Sequence, residues 1–292
     1  MRVKRFNLWN VPFYFPFIIV TSCLGALSPY SLHPDLDPYL AGAGVASRGY
    51  AEWVDRVRNR DTTDFRSLDR NAINPLDRWA IGYYSRPLDM ASTLITAGEF
   101  AVPILINAWD IKAGKEARYG VLTDFIIYSE VYCFSSSLAI YAKAFKVHPR
   151  PLAFTPNAPE SERRTGDARS SFFSAHTTSA FASAVFTGYT FQLKHPNSPL
   201  APWVWGGMLG AATSVGALRI YSGKHFPSDV LMGAVVGSLF GYGIPRLHLD
   251  KVSKEINKEN SGAIRGPGWR MGLAIGLSPE LDSPMPIISV RF

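Results

Sequence analysis

From Asp89 to Leu247 the chain is a succession of apolar stretches, and none of them alternates with the period of two that marks a strand. They run over about 89 to 109, 121 to 145, 173 to 192, 202 to 219 and 228 to 247. Each has the length of a helix, so the pattern predicts an all-α core: a helical bundle whose connections gather at its poles. Gly206 and Gly210 fall four apart in the fourth stretch, as do Gly233, Gly237 and Gly241 in the fifth. Residues four apart share a helix face, and a glycine face lets two backbones approach closely, in a membrane or in a tightly packed soluble bundle. Glu99, Asp124 and Glu130 interrupt apolar stretches. Carboxylates there are costly unless they face the interior and find partners, so hydrogen bonds to neighbouring helices are expected of all three. No His or Cys accompanies them at ligand spacing, which argues against a metal centre.

The flanks are patterned more weakly. Arg2, Lys4 and Arg5 precede the apolar run Val11 to Val20, and Thr21-Ser22-Cys23 follows. This reads as an export signal or membrane anchor over residues 1–22, and Val20 to Cys23 is similar to a bacterial lipobox. Ser28 to Pro38, with three prolines, reads as a loop, Ala46 to Val57 as a short helix, and Asn74-Pro75 as a turn. Residues 23–88 are thus expected to be an N-terminal extension of a core domain over 89–248. Beyond it, residues 249–292 form a polar linker and tail. Trp269 to Leu277 and Pro286 to Phe292 could pair as a small β-hairpin, which cannot close a barrel on its own.

Composition narrows the class. The 292 residues leave room for one core-bearing domain with appendages. Hydrophobic residues make up 47% and charged residues 18%, apolar for a soluble protein and too polar for a chain made only of membrane spans. The net charge of +7 is diffuse. A nucleic-acid binder would want a basic stripe; a spread positive charge suits an anionic membrane surface or a phosphorylated substrate better. Two cysteines give no disulfide framework, and Cys133 fits a small core hydrophobe.

Candidate chemistry lies at the ends of the apolar stretches: Lys143-x6-Arg150-Pro151, then Ser174-Ala175-His176, then Arg219-x5-His225-x3-Asp229. An antiparallel bundle could bring these ends to one pole. Lys143, Arg150 and Arg219 could neutralise an anion with several equatorial oxygens, while His225 could attack phosphorus and His176 protonate the departing oxygen. Pro227 suits a first helical position, which puts Asp229 in the first turn and within reach of the His225 imidazole. Taken singly, each residue has an ordinary role: surface cations, a turn histidine, a serine helix cap. Their order and spacing together point to a phosphate pocket. Lys146, His148 and Lys224 lie inside the spacers and could tune substrate choice, with no catalytic role assigned.

These motifs resemble those of the type 2 phosphatidic acid phosphatase superfamily, which includes bacterial acid phosphatases and vanadium haloperoxidases. The resemblance runs from about Asp89 to His248. The first motif matches in full, whereas Phe173 and Ala175 stand where the family usually has Pro and Gly, and Leu218 where it has Ser. None of the three replaces a titrating group. Ala175 bears most on phosphate affinity, because a backbone amide approaches phosphate most easily without a side chain. The resemblance implies that His225 is the nucleophile, forming a phosphohistidine, and that His176 is general acid and then base. It implies that Asp229 orients His225, and that Lys143, Arg150, Ser174, Ala175 and Arg219 bind phosphate, with no cofactor and no metal. It also implies a phosphate monoester or pyrophosphate substrate, lipid-linked, and an exported, periplasmic, membrane-associated protein, either lipoprotein or multi-span. Two alternatives keep the fold: a vanadate-loaded haloperoxidase, and a non-catalytic envelope protein.

Overall fold

The computed structural model describes residues 28–58, 68–112, 118–145 and 148–249. The expected export signal and C-terminal hairpin lie outside them. The described residues form an all-α bundle: α1 Asp37–Arg58, α2 Arg86–Lys112, α3 Arg118–Ala144, the single turn α4 Glu160–Arg163, α5 Ala175–Lys194, α6 Ala201–Tyr221 and α7 Pro227–Leu247. Extended pairing among the described residues is limited to one antiparallel bridge, Tyr30 with Leu249.

The central element is α5, which packs against α2, α3, α6 and α7. Its sequence suits that position. Alanines alternate with serines and threonines whose hydroxyls bond back into the helix, as Thr178 does to the Ser174 carbonyl at 2.8 Å and Thr187 to Ser183 at 2.7 Å, so small polar side chains are buried without orphaned donors. Around it, Tyr128 stacks on Phe186 with ring centroids 4.8 Å apart, and Met208, Ala212 and Val215 of α6 close over Ala180 and Ala184.

The two glycine sets behave differently. A β-carbon at Gly233, Gly237 or Gly241 would lie 2.8, 2.3 and 2.5 Å from the backbone oxygens of Ser174, Thr178 and Ala182, so this face of α7 rests directly on the α5 backbone. Gly206 and Gly210 have nothing within 4 Å of that position. The expectation of close approach therefore holds for α7 and not for α6. The opposite face of α7 exposes Leu231, Val235 and Leu239, also spaced by four.

Among the described residues before α2, α1 packs against the bundle. The helix predicted at Ala46 to Val57 starts at Asp37, whose carboxylate accepts from the His33 N–H at 2.5 Å, and Pro38 sits in the first turn, where its missing N–H is harmless. It packs along α3, with Gly44 at van der Waals distance from Cys133 and the Tyr141 hydroxyl donating to the Ser47 carbonyl at 2.7 Å. Its inward residues are small (Ala41, Gly44, Ala51), and Tyr39, Val45 and Trp53 face outward. That inverted pattern hid its extent from a search for an apolar stripe.

Of the interior carboxylates, Asp124 accepts from Ser28 Oγ at 2.7 Å and pairs with Lys194. Glu130 lies 3.5 Å from Nε2 of His248, which is itself 3.2 Å from Asp37. An imidazole therefore does accompany Glu130, brought from the far end of α7, where no sequence spacing could register it. Glu99 is buried without a hydrogen-bond partner, contrary to expectation.

Helices α2, α3 and α7 are long and apolar enough to cross a membrane. With Leu94, Leu105 and Trp109 of α2 exposed, as are Leu231, Val235 and Leu239 of α7, these apolar helices mark the protein as membrane-associated. The glycine contrast is directly testable. Gly237→Ala is expected to destabilise the bundle by about 1–3 kcal/mol or more, while Gly206→Ala should be neutral or stabilising by up to about 1 kcal/mol. Thermal unfolding of both variants in detergent checks this, and equal effects would contradict the packing.

Candidate active site

The site is assembled by three backbone turns at one pole. Helix α6 stops at Gly223, which adopts φ +75°, and the N–H groups of Lys224 and His225 fold back onto the Arg219 carbonyl at 3.1 and 3.2 Å. The five-residue spacer between Arg219 and His225 is the length of this turn. Only glycine fits at its corner, because a β-carbon there would lie 2.2 Å from the Tyr83 carbonyl oxygen. Helix α7 then begins at Pro227, and Asp229 Oδ2 accepts from the Phe226 N–H at 2.9 Å. Ser228 is held by Asp77, its N–H and hydroxyl donating at 3.0 and 2.6 Å.

The second turn caps α5. Ser174 Oγ accepts from the Thr177 N–H at 3.3 Å and the Thr177 hydroxyl at 2.9 Å, so this hydroxyl serves as the helix cap. Its own N–H donates to the Asp229 carbonyl at 3.2 Å, which ties the start of α5 to the start of α7. Ala175 is the first residue of α5. The third turn carries the Arg-Pro pair: Arg150 N–H donates to the Ala168 carbonyl at 2.8 Å, Ser171 N–H to the His148 carbonyl at 3.0 Å, and Leu152 N–H to the Gly223 carbonyl at 2.8 Å.

These turns bring the sequence-predicted residues together. His176 at the head of α5 feels the charges of Arg219, Lys143 and Arg150 and the imidazole of His225, and its Nε2 lies 3.2 Å from Thr93 Oγ1. Lys143 is buried in the last turn of α3. His225 is fully buried, and its Nε2 has no hydrogen-bond partner. Burial lowers its pKa to about 3, reinforced by the charges of Arg150 and Arg219 and only partly offset by Asp229, so the ring is neutral at ordinary pH.

The expected direct contact between Asp229 and His225 is loose. Oδ2 of Asp229 is 3.8 Å from His225 Nδ1, and the Ser171 hydroxyl stands beside both, donating to Oδ2 at 2.5 Å with its oxygen 3.4 Å from Nδ1. The serine proton is committed to the carboxylate, so the oxygen faces Nδ1 as an acceptor. That arrangement keeps the ring proton on Nδ1 and leaves the lone pair on Nε2.

The cations are not bare. Arg219 pairs with Asp89 through one nitrogen, with Ser92 Oγ 3.3 Å from the same atom, while its Nε is buried without a partner. Arg150 pairs with Asp167 at 2.5 Å, and Lys224 lies 3.1 Å from Glu162 and 3.4 Å from Asp89. The motifs did not identify these carboxylates, nor Asp77 and Ser171, as part of the site, because turns and not fixed spacings deliver them. A weak signal existed for Asp77, next to the Asn74-Pro75 turn, and for Ser171, three residues before Ser174.

The family model of the PAP2 superfamily matches residues 124–253, a stretch that holds all three motifs. Over that stretch, a little under half of its length, the chain is similar to that superfamily. A lipid A 1-phosphatase of Porphyromonas gingivalis is 38% identical over 79 residues, 27% of this chain and only 16% of that protein's length. Among solved structures, a transmembrane PAP2-type phosphatidylglycerolphosphate phosphatase from Bacillus subtilis is 20% identical with a TM-score of 0.38, covering 76% of this chain and 92% of the other. Aquifex aeolicus LpxE is 24% identical with a TM-score of 0.37, over 62% of this chain and 92% of the other.

The buried neutral imidazole makes a stability prediction. Between its folded value of about 3 and its ordinary value of 6.5, the unfolded chain binds a proton at His225 that the folded chain does not. Stability from this group is therefore complete above about pH 6.5 and falls with acidification, by roughly 1.4 kcal/mol per pH unit. His225→Gln should flatten this part of the thermal-stability profile between pH 6.5 and pH 4 relative to wild type; an unchanged slope would mean that His225 is not held neutral.

Proposed function

We propose that the protein is a phosphatase that hydrolyses phosphate monoesters or pyrophosphates of lipids at the membrane surface of the cell envelope, through a phosphohistidine on His225. The observation that carries the reading is the pair of buried, unpartnered polar atoms in one cationic cluster: the acceptor Nε2 of His225 and the donor Nε of Arg219. An unsatisfied buried lone pair beside an unsatisfied guanidinium N–H is costly in an empty site and is relieved by an electrophile that carries anionic oxygens.

In the first half-reaction the Nε2 lone pair attacks phosphorus, the bond from phosphorus to the ester oxygen breaks, and His176 gives its proton to that oxygen. Ser171 and Asp229 hold the Nδ1 proton and stabilise the positive charge that develops on the ring. Lys143, Arg150 and Arg219 hold the phosphoryl oxygens, the arginines in a planar bidentate manner. In the second half-reaction His176 takes a proton from water, the water oxygen bonds to phosphorus, and the electron pair of the breaking P–N bond returns to Nε2. With the nucleophile on a side chain, no step calls for a divalent metal.

The lipid preference is supported by the surface around the pole. Trp79, Tyr83 and Tyr221 form an exposed edge-to-face series with centroids 6.2 and 5.2 Å apart, and Tyr83 contributes the carbonyl that faces Gly223. Aromatic side chains of this kind favour the boundary between headgroups and hydrocarbon. An envelope location, as lipoprotein or multi-span protein, follows from the same reading and from the charged and apolar N-terminus.

His225→Ala is expected to lower phosphate release by at least about 10³-fold while leaving thermal unfolding cooperative, and chelators should leave the wild type active. Full activity in the variant, or strict dependence on an added divalent ion, would overturn the mechanism. A panel of lipid and soluble phosphate esters, followed by phosphate release, fixes the substrate class. Halide oxidation with vanadate and peroxide, with no phosphate release from any ester, would favour the haloperoxidase alternative.

A further inference from the structure

The Asp229 carboxylate, read from the sequence as the partner of one histidine, has two. Nε2 of His148 lies 3.2 Å from Oδ1, on the side opposite the Ser171 hydroxyl and the Phe226 N–H that occupy Oδ2. The two side chains that clamp the carboxylate come from one paired segment, because the Ser171 N–H donates to the His148 carbonyl at 3.0 Å. The His148 ring is half-buried at the rim and packs edge-on against Phe226, with centroids 5.3 Å apart, and against Phe172 at 6.3 Å. Its Nδ1 is 3.3 Å from the Pro149 carbonyl oxygen. A histidine serving only as packing would not need both nitrogens beside oxygens.

We infer that His148 is a positioning residue for phosphoryl transfer, which competes with His225 for the charge of Asp229 and makes the rate fall on the acid side. The inference rests on the phosphatase reading above. When His148 is neutral, the carboxylate charge is available to stabilise the positive ring of His225 as the P–N bond forms. When His148 is a cation, it forms an ion pair with Oδ1, and the nucleophile receives less of that charge.

The surroundings favour the switch at physiological pH. Burial opposes protonation of His148, but the contact with Asp229, the charge of Asp229 and, further off, that of Asp77 outweigh it and raise the pKa above the ordinary value. The titratable groups acting on the ring are thus Asp229 on α7 and Asp77 in the turn before α2, with Phe172 and Phe226 supplying only apolar edges. His225 stays neutral over the same range, its pKa lowered to about 3, and burial together with the charges of Arg219, Lys143 and Arg150 holds His176 well below its ordinary value, so the acid limb is assigned to His148.

The test is the pH profile of kcat for wild type and His148→Gln, on whichever phosphate ester the wild type hydrolyses. Wild-type kcat is expected to fall about threefold or more between pH 8 and pH 5.5, whereas the variant should change by less than about 1.5-fold with KM preserved. An identical acid limb in both proteins, or a uniform loss at every pH, would overturn the assignment. A second measurement needs no turnover: the His148 ring titrated by NMR in wild type and in Asp229→Asn. Its pKa should drop by about one unit in the variant, and an unchanged value would overturn the pairing. If wild type releases phosphate from no ester but the NMR shift is seen, the phosphatase reading fails while the His148–Asp229 pair stands.

Discussion

Direct backbone contact between α5 and α7 is the constraint on which the site depends. Two helices this close need a face with no side chain, and Gly233, Gly237 and Gly241 supply it against the carbonyls of Ser174, Thr178 and Ala182, themselves spaced by four. The contact carries the N-terminus of α7 against that of α5, where the Ser174 N–H meets the Asp229 carbonyl. The other parts follow from short tethers. Gly223 fixes His225 to Arg219, the Gly223 carbonyl anchors the Arg-Pro turn, and Asp77 anchors Ser228. Changes well away from the chemistry, on the glycine face, would therefore be felt at His225.

Electrostatics sets the second constraint. Several cations and three imidazoles lie at one pole of an apolar bundle, and buried positive charge is tolerated only with compensation. Asp89, Glu162 and Asp167 provide it from three different segments, the head of α2, the α4 turn and the turn that follows it. Asp229 accepts at Oδ2 from the Ser171 hydroxyl and the Phe226 N–H, with His148 Nε2 3.2 Å from Oδ1, so its position is fixed by more than its partnership with His225.

The long apolar stretches were legible because length and hydrophobicity suffice to define a helix: α2, α3, α5, α6 and α7 end within a few residues of their predicted limits. Helix α1 was only partly legible, because in a membrane-associated protein its small residues face inward and its large ones outward. Spacing alone could not separate Gly233, Gly237 and Gly241 from Gly206 and Gly210; only a partner helix distinguishes them. Likewise the motif residues could be named in order, but the carboxylates that neutralise them, the Ser171 hydroxyl between Asp229 and His225, and the union of Glu130 with His248 arise from turns and helix ends far apart in sequence.

The pairing of Arg219 with Asp89 bears on how tightly anything can be held. Under the proposed function, a phosphoryl group arriving at Arg219 exchanges one counter-ion for another, so the free energy of capture is the difference between two pairings and not the whole of the new one. The same carboxylate is present when the product leaves. Released inorganic phosphate must then compete with an anion tethered to the protein and present at a high effective concentration. A built-in rival of this kind sacrifices affinity and, in return, speeds clearance.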